Sequence, residues 1–425
     1  MSKDVFPIAV PNSGHFSNNQ MIVKLVLDIG EQLLICGGEV NRVEETITRI
    51  CSAYGALKTD IFCITSTIII TCIWDNGDII TQTRRVSTVS RNFHKLALLN
   101  GLSRKICAKK MAVDEAHLEL KKISKTPKIS FWIALIGIIF FPASFEMFFG
   151  GNLLAGVATL ISSISIFLID RYIYNSKMNN VVYYIVCSFL AGAIATFTVH
   201  LGIGQNLDKI MIGVIMIVIP GMNFTTAIED IMSGDTATGT FKLCESIIIT
   251  CAIAFGFVFS IYLCGGTELA VDSNKTATEL VQVITATIGA FGYSLYLGNR
   301  KLNLWVTAIC GGITFLIHLV VCNMTSSIFI GSLIASITAT ALSQVFARVL
   351  KAPATVFIYP SIVPLVPGSA LYYMVSNWLL GNSNQILEFS QIALETALGL
   401  ALGIVVVVAV TKVIMAVKDR AKIHN

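Results

Sequence analysis

Long apolar runs fill the chain from residue 129 onward and restrict that part to a lipid environment. Of the 425 residues, 55% are hydrophobic and 13% are charged, and the mean hydropathy is +0.76. Soluble domains carry about 25% charged residues, and most of these runs approach the roughly 20 residues that a membrane-crossing helix needs. The pattern predicts an α-helical polytopic membrane protein with about ten transmembrane helices, at residues 129–149, 153–169, 181–203, 209–223, 241–264, 277–297, 304–322, 325–346, 354–375 and 389–415.

The segment before these runs predicts a small α+β domain. Residues 1–20 contain two prolines and no continuous apolar stretch, so we expect a flexible N-terminus without a signal peptide. Residues 21–128 combine helical patterns at 21–36 and 39–54 with three β-branched runs and a long charged helix at about 92–125. We therefore expect residues 21–128 to form a cytoplasmic α+β domain.

The basic residues of the loops predict the orientation. With the N-terminal domain inside, the bases of the predicted inside loops are Arg171, Lys177, Arg300, Lys301, Arg348, Lys351, Lys418, Arg420 and Lys422. The outside loops are acidic or neutral, or hold the Asp208-Lys209 pair. The positive-inside rule then places both termini in the cytoplasm of a multi-pass cell-membrane protein, with residues 416–425 as a cytoplasmic tail. One predicted inside loop, at 224–239, departs from the rule because it is acidic and contains no base.

Charge and cysteine patterns exclude several classes of function. Residues 1–128 hold 17 of the 30 lysines and arginines. This suits contact with an anionic lipid leaflet and is no indication of nucleic-acid binding. The 11 cysteines form no C-x-x-C pair and no Cys/His cluster at metal spacing. We therefore expect free thiols, with no metal and no cofactor.

A long-period repeat divides the membrane part into halves. The segment IVIPGMNFTTAIEDIMSGD resembles IVPLVPGSALYYMVSNWLLGN, with Pro220-Gly221 opposite Pro367-Gly368 (367 − 220 = 147). We expect two five-helix repeats, at residues 129–265 and 276–415. Because five is odd, the second half enters the membrane in the opposite sense. Inverted repeats whose broken helices face each other are typical of secondary transporters.

The first break is predicted at Pro220 and Gly221, because proline removes a backbone donor and glycine adds conformational freedom in mid-membrane. The segment Thr226-Ala-Ile-Glu229 fits a capping box and predicts that a new short helix begins there. A half-helix N-terminus offers N–H groups and a positive dipole end that suit a carboxylate. Asn223, beside the break, is therefore a candidate substrate contact. The alternative is a proline kink needed only for packing.

The second break is predicted at Pro367 and Gly368, followed by Ser369. Tyr372 lies close by and offers a hydroxyl that could donate to a substrate. The alternative for the tyrosines of this region is an aromatic belt at the membrane interface.

Ionisable residues near the spans are the next candidates, because a charge in hydrocarbon is costly and usually functional. Asp230 and Asp235 follow the first break, where either could also be a simple loop residue. Glu245 and Glu395 lie within apolar runs, so we expect each charge to be paired, wetted or neutralised. A carboxylate that takes up a proton at membrane depth is what a proton-coupled carrier needs. Further carboxylates, in or beside apolar runs, are Glu146 and Glu388.

The N-terminal domain contains a dense charged motif with Gly38, Glu39, Arg42 and Glu44. Its helical spacing also fits a surface ion-pair ladder. The domain has no nucleophile elbow and no phosphate-binding loop. An enzyme or sensor domain anchored by the membrane part therefore stays only as an alternative.

Several motifs of the chain resemble those of a known family. Gly30-Glu31-Gln32-Leu33-Leu34, Gly38-Glu39-Val40-Asn41-Arg42-Val43-Glu44-Glu45 and Ser233-Gly234-Asp235 are similar to motifs of the threonine/serine exporter family. The second half, through Pro364-Leu365-Val366-Pro367-Gly368-Ser369, resembles the smaller partner component of that family, here fused to the first. Gly381-Asn382 departs from the more usual Gly-Asp, which puts an acidic role there in doubt.

The resemblance implies a secondary transporter that exports threonine and serine, driven by the proton-motive force, and not an enzyme. Its expected partners are a small-molecule substrate, protons and membrane lipid, with a possible homo-oligomer and no nucleic acid. Related two-component members are linked to succinate export, so a dicarboxylate exporter is the alternative. The two half-helix N-termini could serve either substrate.

Overall fold

The computed structural model of the protein describes residues 17–86, 92–109, 111–126, 129–173, 178–204, 206–265, 277–381 and 383–423. Lys177, Asn382 and residues 1–16 lie outside this set, as do the side chains of Lys418, Arg420 and Lys422. The described residues form two compact units. One takes the residues before 92 together with 98–126, and the other takes 92–97 and the residues from 127 onward.

The first unit combines helices with a three-stranded sheet. Its elements are α1 (Asn18–Ile35), α2 (Val40–Ala53), β1 (Ala56–Ile64), β2 (Thr67–Trp74), β3 (Ile79–Arg85), most of α3 (Phe93–Lys109) and α4 (Val113–Ser124). Helix α1 begins inside the segment predicted to be flexible, because the Ser17 hydroxyl accepts from the Gln20 backbone while the Gln20 side chain accepts from the Ser17 backbone. The single charged helix predicted at 92–125 is two helices, with Ala112 as the N-cap of the second.

The sheet lies where the three β-branched runs predict it. Its order is β1-β2-β3 and both pairings are antiparallel, with Ile61 opposite Ile70 and Ile70 opposite Gln82. On β2 the side chains of Ile68, Ile70 and Cys72 are fully buried. This alternation gives the sheet one core face, as the period of two in a strand requires.

The second unit is a helical bundle. Its helices are α5 (Phe131–Phe148), α6 (Leu153–Leu168, continued by a π-helical turn to Ile173), α7 (Asn180–His200), α8 (Leu207–Val218), α9 (Gly221–Met232), α10 (Thr236–Cys264), α11 (Glu279–Tyr296), α12 (Lys301–Thr325), α13 (Ile328–Val349), α14 (Thr355–Ile362), α15 (Gly368–Leu380) and α16 (Ser383–Ile423).

Seven of the described helices are long and apolar enough to cross a membrane, and the number rises to nine if each of two bent pairs is one span. The bent pairs are α8 with α9 and α14 with α15. Helix α11, predicted as the sixth span, is not among them. The chain is therefore a polytopic α-helical membrane protein with seven to nine candidate spans.

Small residues set the closest helix contacts. A Cβ placed on Gly137 of α5 would lie 2.7 Å from the Tyr296 nitrogen of α11, and a Cβ on Gly292 of α11 would lie 2.6 Å from the Phe141 nitrogen of α5. Small residues also line the contact of α7 with α10 and that of α13 with α16. Close backbone approach through glycine and serine is how helices associate in lipid, where no hydrophobic effect drives them together.

Candidate transport site

The two broken helices owe their shape to proline. Ile219 and Val366 each precede a proline and adopt extended backbone, with ψ of 134° and 128°, because the proline ring disfavours the helical conformation of the residue before it. A new helix then begins after Pro220 and after Pro367, and the two arms bend by 51° and 49°. Both predicted breaks are therefore present, with similar local geometry.

The two breaks touch each other through their glycines. A Cβ on Gly221 would lie 2.5 Å from Val366 Cγ1 and 3.4 Å from the Cα and N of Gly368. A Cβ on Gly368 would lie 2.9 Å from Ile219 Cγ2. The broken helices thus cross at two glycines, which have no side chains. A larger residue at either glycine would force the two helices apart.

The start of α9 corrects one expectation. The predicted capping box at Thr226 and Glu229 is wrong, because α9 already begins at Gly221 with Pro220 as its N-cap. Thr226 lies inside the helix, and its hydroxyl donates to the Asn223 carbonyl at 3.2 Å. The N-terminus of this half-helix therefore lies at the contact of Gly221 with Gly368.

Helices α9 and α15 both direct their N-termini to this crossing. The first N–H groups of a helix have no partner within the helix and carry the positive end of its dipole. Two half-buried polar side chains accompany them, Asn223 in α9 and Ser369 in α15. This arrangement can hold a carboxylate without any basic side chain.

Asp230 is held by a buried ion pair. Its Oδ2 accepts from the Lys242 ammonium at 2.6 Å, and the two side chains are only 10% and 17% exposed. The pair joins α9 to α10. The loop predicted at 224–239 is therefore wrong, since α9 and the start of α10 occupy most of it, and the base that pairs with Asp230 lies beyond it in α10.

Asp235 has a local structural role. As the N-cap of α10, its Oδ1 accepts from the Thr238 backbone at 3.3 Å. Gly234 before it has a φ of +94°, and Gly381 has +79° at the end of α15. Both positions favour glycine because the left-handed conformation is costly for other residues.

The two carboxylates predicted to lie within the apolar runs are not enclosed. Glu245 is exposed on α10, and Glu395 is half-buried on α16, where it accepts from Gln391 Nε2 at 2.7 Å. The bundle does not bring either of them into its interior. Their proposed roles therefore rest on the sequence alone.

Tyr372 belongs to the interior of the bundle. It is 1% exposed, so the aromatic-belt alternative is wrong for it, and its ring packs edge-on against Phe257 of α10 with centroids 6.1 Å apart. Its hydroxyl lies near the Ser376 side chain but makes no hydrogen bond of normal geometry among the described residues. Asp208 lies within electrostatic reach of this hydroxyl, and its ion pair with Lys209 spans 3.6 Å.

The Asp208-Lys209 pair was expected in an outside loop, and the structure places it in the first turn of α8. Lys209 is 5% exposed, so the pair is part of the packed bundle. A pair of opposite charges beside a half-helix could serve both ends of a zwitterion. The sequence pattern does not predict this position, because two adjacent charges at the edge of an apolar run are typical of a loop.

Glu146 is the most deeply enclosed carboxyl among the described residues. It is 0% exposed, and neither carboxyl oxygen has a hydrogen-bond partner in the described part of the chain. The N–H of Asn152, the N-cap of α6, faces it without completing a hydrogen bond. The signal for it in the sequence is a lone acidic residue in an apolar run, followed by Gly150 and Gly151.

The charged motif of the first unit makes contacts within that unit. Glu39 accepts from Arg42 Nε at 3.2 Å, as the ladder alternative predicts, and Glu44 accepts from the Cys63 backbone at 3.0 Å, which ties α2 to β1. Gly37, rather than Gly38, takes the left-handed conformation after α1. Within the described residues, no group of three His, Cys, Asp or Glu side chains could hold a metal ion.

Comparison with known proteins identifies relatives of the chain. The chain is similar to a "Probable threonine/serine exporter" of Mycobacterium tuberculosis, 25% identical over 91% of this chain and 76% of the relative. It is 23% identical to a "Threonine/serine exporter" of Corynebacterium glutamicum, over 90% of this chain and 81% of the relative.

A third relative matches a smaller share of the chain. The "Probable succinate transporter subunit YjjP" of Klebsiella aerogenes is 23% identical over 59% of this chain and 96% of its own length. No solved structure matches the chain. Two sequence models of threonine/serine exporters, ThrE and ThrE_2, match residues 24–264 and 282–410. The chain therefore belongs to the threonine/serine exporter family, with both components of the family in one polypeptide.

Proposed function

We propose that the chain is a secondary active transporter that exports threonine and serine, and that the crossing of its two broken helices is the substrate site. The observation that carries the proposal is the contact of Gly221 with Gly368, which brings two half-helix N-termini together inside the bundle. Such paired breaks are the usual construction of a transporter binding site. The names of the two relatives that cover about nine-tenths of the chain support the choice of substrate.

The proposed architecture is two inverted five-helix repeats, with α11 as the sixth of ten spans. The spacing of the helices supports it, because each helix of the first half begins 147 or 148 residues before a counterpart (279 − 131 = 148; 383 − 236 = 147). The paired starts are Phe131 and Glu279, Leu153 and Lys301, Asn180 and Ile328, Leu207 and Thr355, Gly221 and Gly368, and Thr236 and Ser383.

Helix packing supports the same proposal. Helices α7 and α10 pack together in the first half, and their counterparts α13 and α16 pack together in the second. Helix α9 packs against α16, and its counterpart α15 packs against α10. Exchange of the two halves thus leaves this set of contacts unchanged, as a two-fold relation requires.

The amino acid would bind as a zwitterion. Its carboxylate would accept from the N–H groups at the start of α9 or α15, with Asn223 and Ser369 as side-chain partners. Its ammonium needs an acidic or hydroxyl partner, and Tyr372, four residues after the start of α15, is the candidate that we propose. The hydroxyl of threonine or serine adds one further hydrogen bond.

We further propose that both termini face the cytoplasm and that proton antiport drives export. The basic loops of the chain support this orientation, and the first unit then lies on the cytoplasmic side of the membrane. The proposed site also includes four carboxylates, because of their positions in the sequence near the first break or within apolar runs. They are Asp230, Asp235, Glu245 and Glu395.

The test is transport by the purified protein in liposomes. We expect labelled threonine to exchange against unlabelled threonine and serine, and to be unaffected by succinate. Empty liposomes and liposomes with an unrelated membrane protein give the background. Absence of threonine and serine exchange would contradict the proposal.

A dicarboxylate exporter is the second candidate. The relative named as a succinate transporter subunit favours it, and two facing helix N-termini would suit two carboxylates. The same liposomes decide the matter: exchange of labelled succinate that threonine does not inhibit would replace the first proposal by the second.

A further inference from the structure

Glu146 lies near the end of α5 in a cradle of glycines. A Cβ on Gly151 would overlap its Oε1, a Cβ on Gly156 would lie 3.5 Å from its Oε2, and a Cβ on Gly213 of α8 would lie 2.9 Å from its Cβ. The carboxyl is therefore in contact with the backbone of the segment before α6 and with α6 itself, while α8 covers the Cβ of the same side chain.

This enclosure determines the form of the carboxyl. A carboxylate that is removed from water without a hydrogen bond or a counter-ion is unfavourable by many kcal/mol, whereas a neutral carboxyl loses far less. Glu146 is fully buried, and although the N–H of Asn152 faces its carboxyl, neither oxygen makes a hydrogen bond of normal geometry to a described residue, so burial is the larger effect. The arrangement seen here therefore holds a protonated carboxyl.

The charges of the neighbouring helices do not change this conclusion. The titratable side chains on helices around α5 are Asp208 and Lys209 in α8, Glu279, Tyr293 and Tyr296 in α11, Lys301, Cys310, His318 and Cys322 in α12, and Asp170, Arg171 and Tyr172 at the far end of α6. Asp208 and Lys209 pair with each other, and Glu279 accepts from Asn323 at 3.0 Å. The ring of Tyr293 packs against Phe141, and the ring of His318 packs against Phe315.

The size of the cradle determines which ligand can reach the Glu146 carboxyl. An amino acid cannot approach Glu146 while the backbone around Gly151 and Gly213 fills the surrounding space, but a proton can occupy either oxygen. The cradle is also connected to the substrate site, because Gly213 lies on α8, the helix that ends at the break, seven residues before Pro220. A movement of α8 that opens the cradle to water would move the break as well.

We propose that Glu146 is the proton-binding group of this carrier, an inference that rests on the function proposed above. Its carboxyl holds the proton while α5, α6 and α8 are closed around it. When α8 withdraws, water reaches the carboxyl, the proton leaves to water, and the carboxylate keeps the cradle open until it is protonated again. Proton release and the movement of the break are thereby the same event.

The experiment compares two modes of transport in the same liposomes. Exchange of labelled for unlabelled threonine at equal pH needs the substrate site only, whereas net threonine movement driven by a pH gradient also needs the proton site. We expect Glu146→Gln, which mimics the protonated form, to keep exchange and to lose net movement by about tenfold or more. Glu146→Asp should recover part of the net movement with a changed pH dependence.

Glu388→Gln is the matched control, because Glu388 is an exposed carboxylate on α16. It should keep both modes. Normal net movement in a correctly folded Glu146→Gln, or loss of exchange together with loss of threonine binding, would overturn the inference, the latter because Glu146 would then be a substrate contact. Absence of exchange in the unmodified protein would instead contradict the proposed function.

Infrared spectroscopy provides a second readout if the Glu146→Gln variant does not fold. The unmodified protein at neutral pH should show the carbonyl band of a protonated carboxyl that exchanges slowly in heavy water. Threonine together with alkaline buffer should remove this band, since the movement opens the cradle. Absence of a protonated carboxyl band at neutral pH would overturn the inference without any variant.

Discussion

Gly221 and Gly368 hold the two broken helices in contact, since a side-chain carbon on Gly221 would lie 3.4 Å from the Gly368 backbone and 2.5 Å from Val366 Cγ1. The same crossing brings together the N-termini of α9 and α15. The packing of the two halves and the proposed substrate site therefore depend on the same atoms.

Gly221→Ala tests this crossing. The added methyl group must displace Val366 or the break itself, so we expect a loss of about 1–3 kcal/mol in the free energy of unfolding and a strong loss of threonine exchange. Thermal unfolding in detergent and exchange in liposomes measure the two effects.

Gly101→Ala is the control for this substitution, because no atom lies within 4 Å of a Cβ at that helical glycine. Alanine in a helix interior is favoured over glycine, so this variant should be as stable as the unmodified protein or more so. Equal behaviour of the two variants would mean that the crossing is not tightly packed.

The buried Asp230-Lys242 pair predicts a non-additive result. Lys242→Met leaves the Asp230 carboxylate without this partner, and removal of one member of a buried pair is unfavourable by about 3–5 kcal/mol. Asp230→Asn combined with Lys242→Met should recover most of that loss. Unfolding temperatures of the two single variants and the double variant measure the coupling, and additive losses would show that the pair does not act as a unit.

The Tyr372 hydroxyl predicts a separation of stability from transport. Since it makes no hydrogen bond of normal geometry among the described residues, Tyr372→Phe should change the free energy of unfolding by about 0.5 kcal/mol or less. If the hydroxyl bonds to the substrate, the KM for threonine should rise about tenfold, because a hydrogen bond to a charged group contributes about 1.5–3 kcal/mol. An unchanged KM would remove Tyr372 from the site.

His94, in the first turn of α3, predicts a pH effect outside the membrane spans. Partial burial, and then the nearby Arg300 charge, lower the pKa of its imidazole below the ordinary value of 6.5. Because the folded state disfavours the protonated form, the protein should lose stability as the pH falls below about 6.5, where the unfolded chain takes up the proton. The unfolding temperature of His94→Gln should fall less between pH 7 and pH 5, and equal slopes would contradict this.

The sequence was sufficient to predict the breaks because proline acts on its own backbone and on the residue before it. Pro220 and Pro367 therefore end their helices in any packing. The new helix begins at Gly221 rather than after Thr226, since proline and glycine alone already allow a start and no side-chain cap is needed.

The placement of the carboxylates could not be predicted in the same way. Helix α10 is apolar around much of its circumference, so its sequence does not indicate that Glu245 faces outward while Ser246 beside it is buried. Glu146 is enclosed by Gly151 and Gly213, which are distant in sequence from each other. That enclosure depends on the packing of α8 against α5, which no local pattern specifies.

The central claim is proton-driven export of threonine, and the most direct measurement is threonine movement against its gradient in liposomes with an acidic lumen. As protons leave the lumen, labelled threonine should accumulate above its external concentration, and a protonophore should abolish the accumulation. Gly221→Ala liposomes should not accumulate it. Threonine that only equilibrates, with or without the pH gradient, would contradict the account.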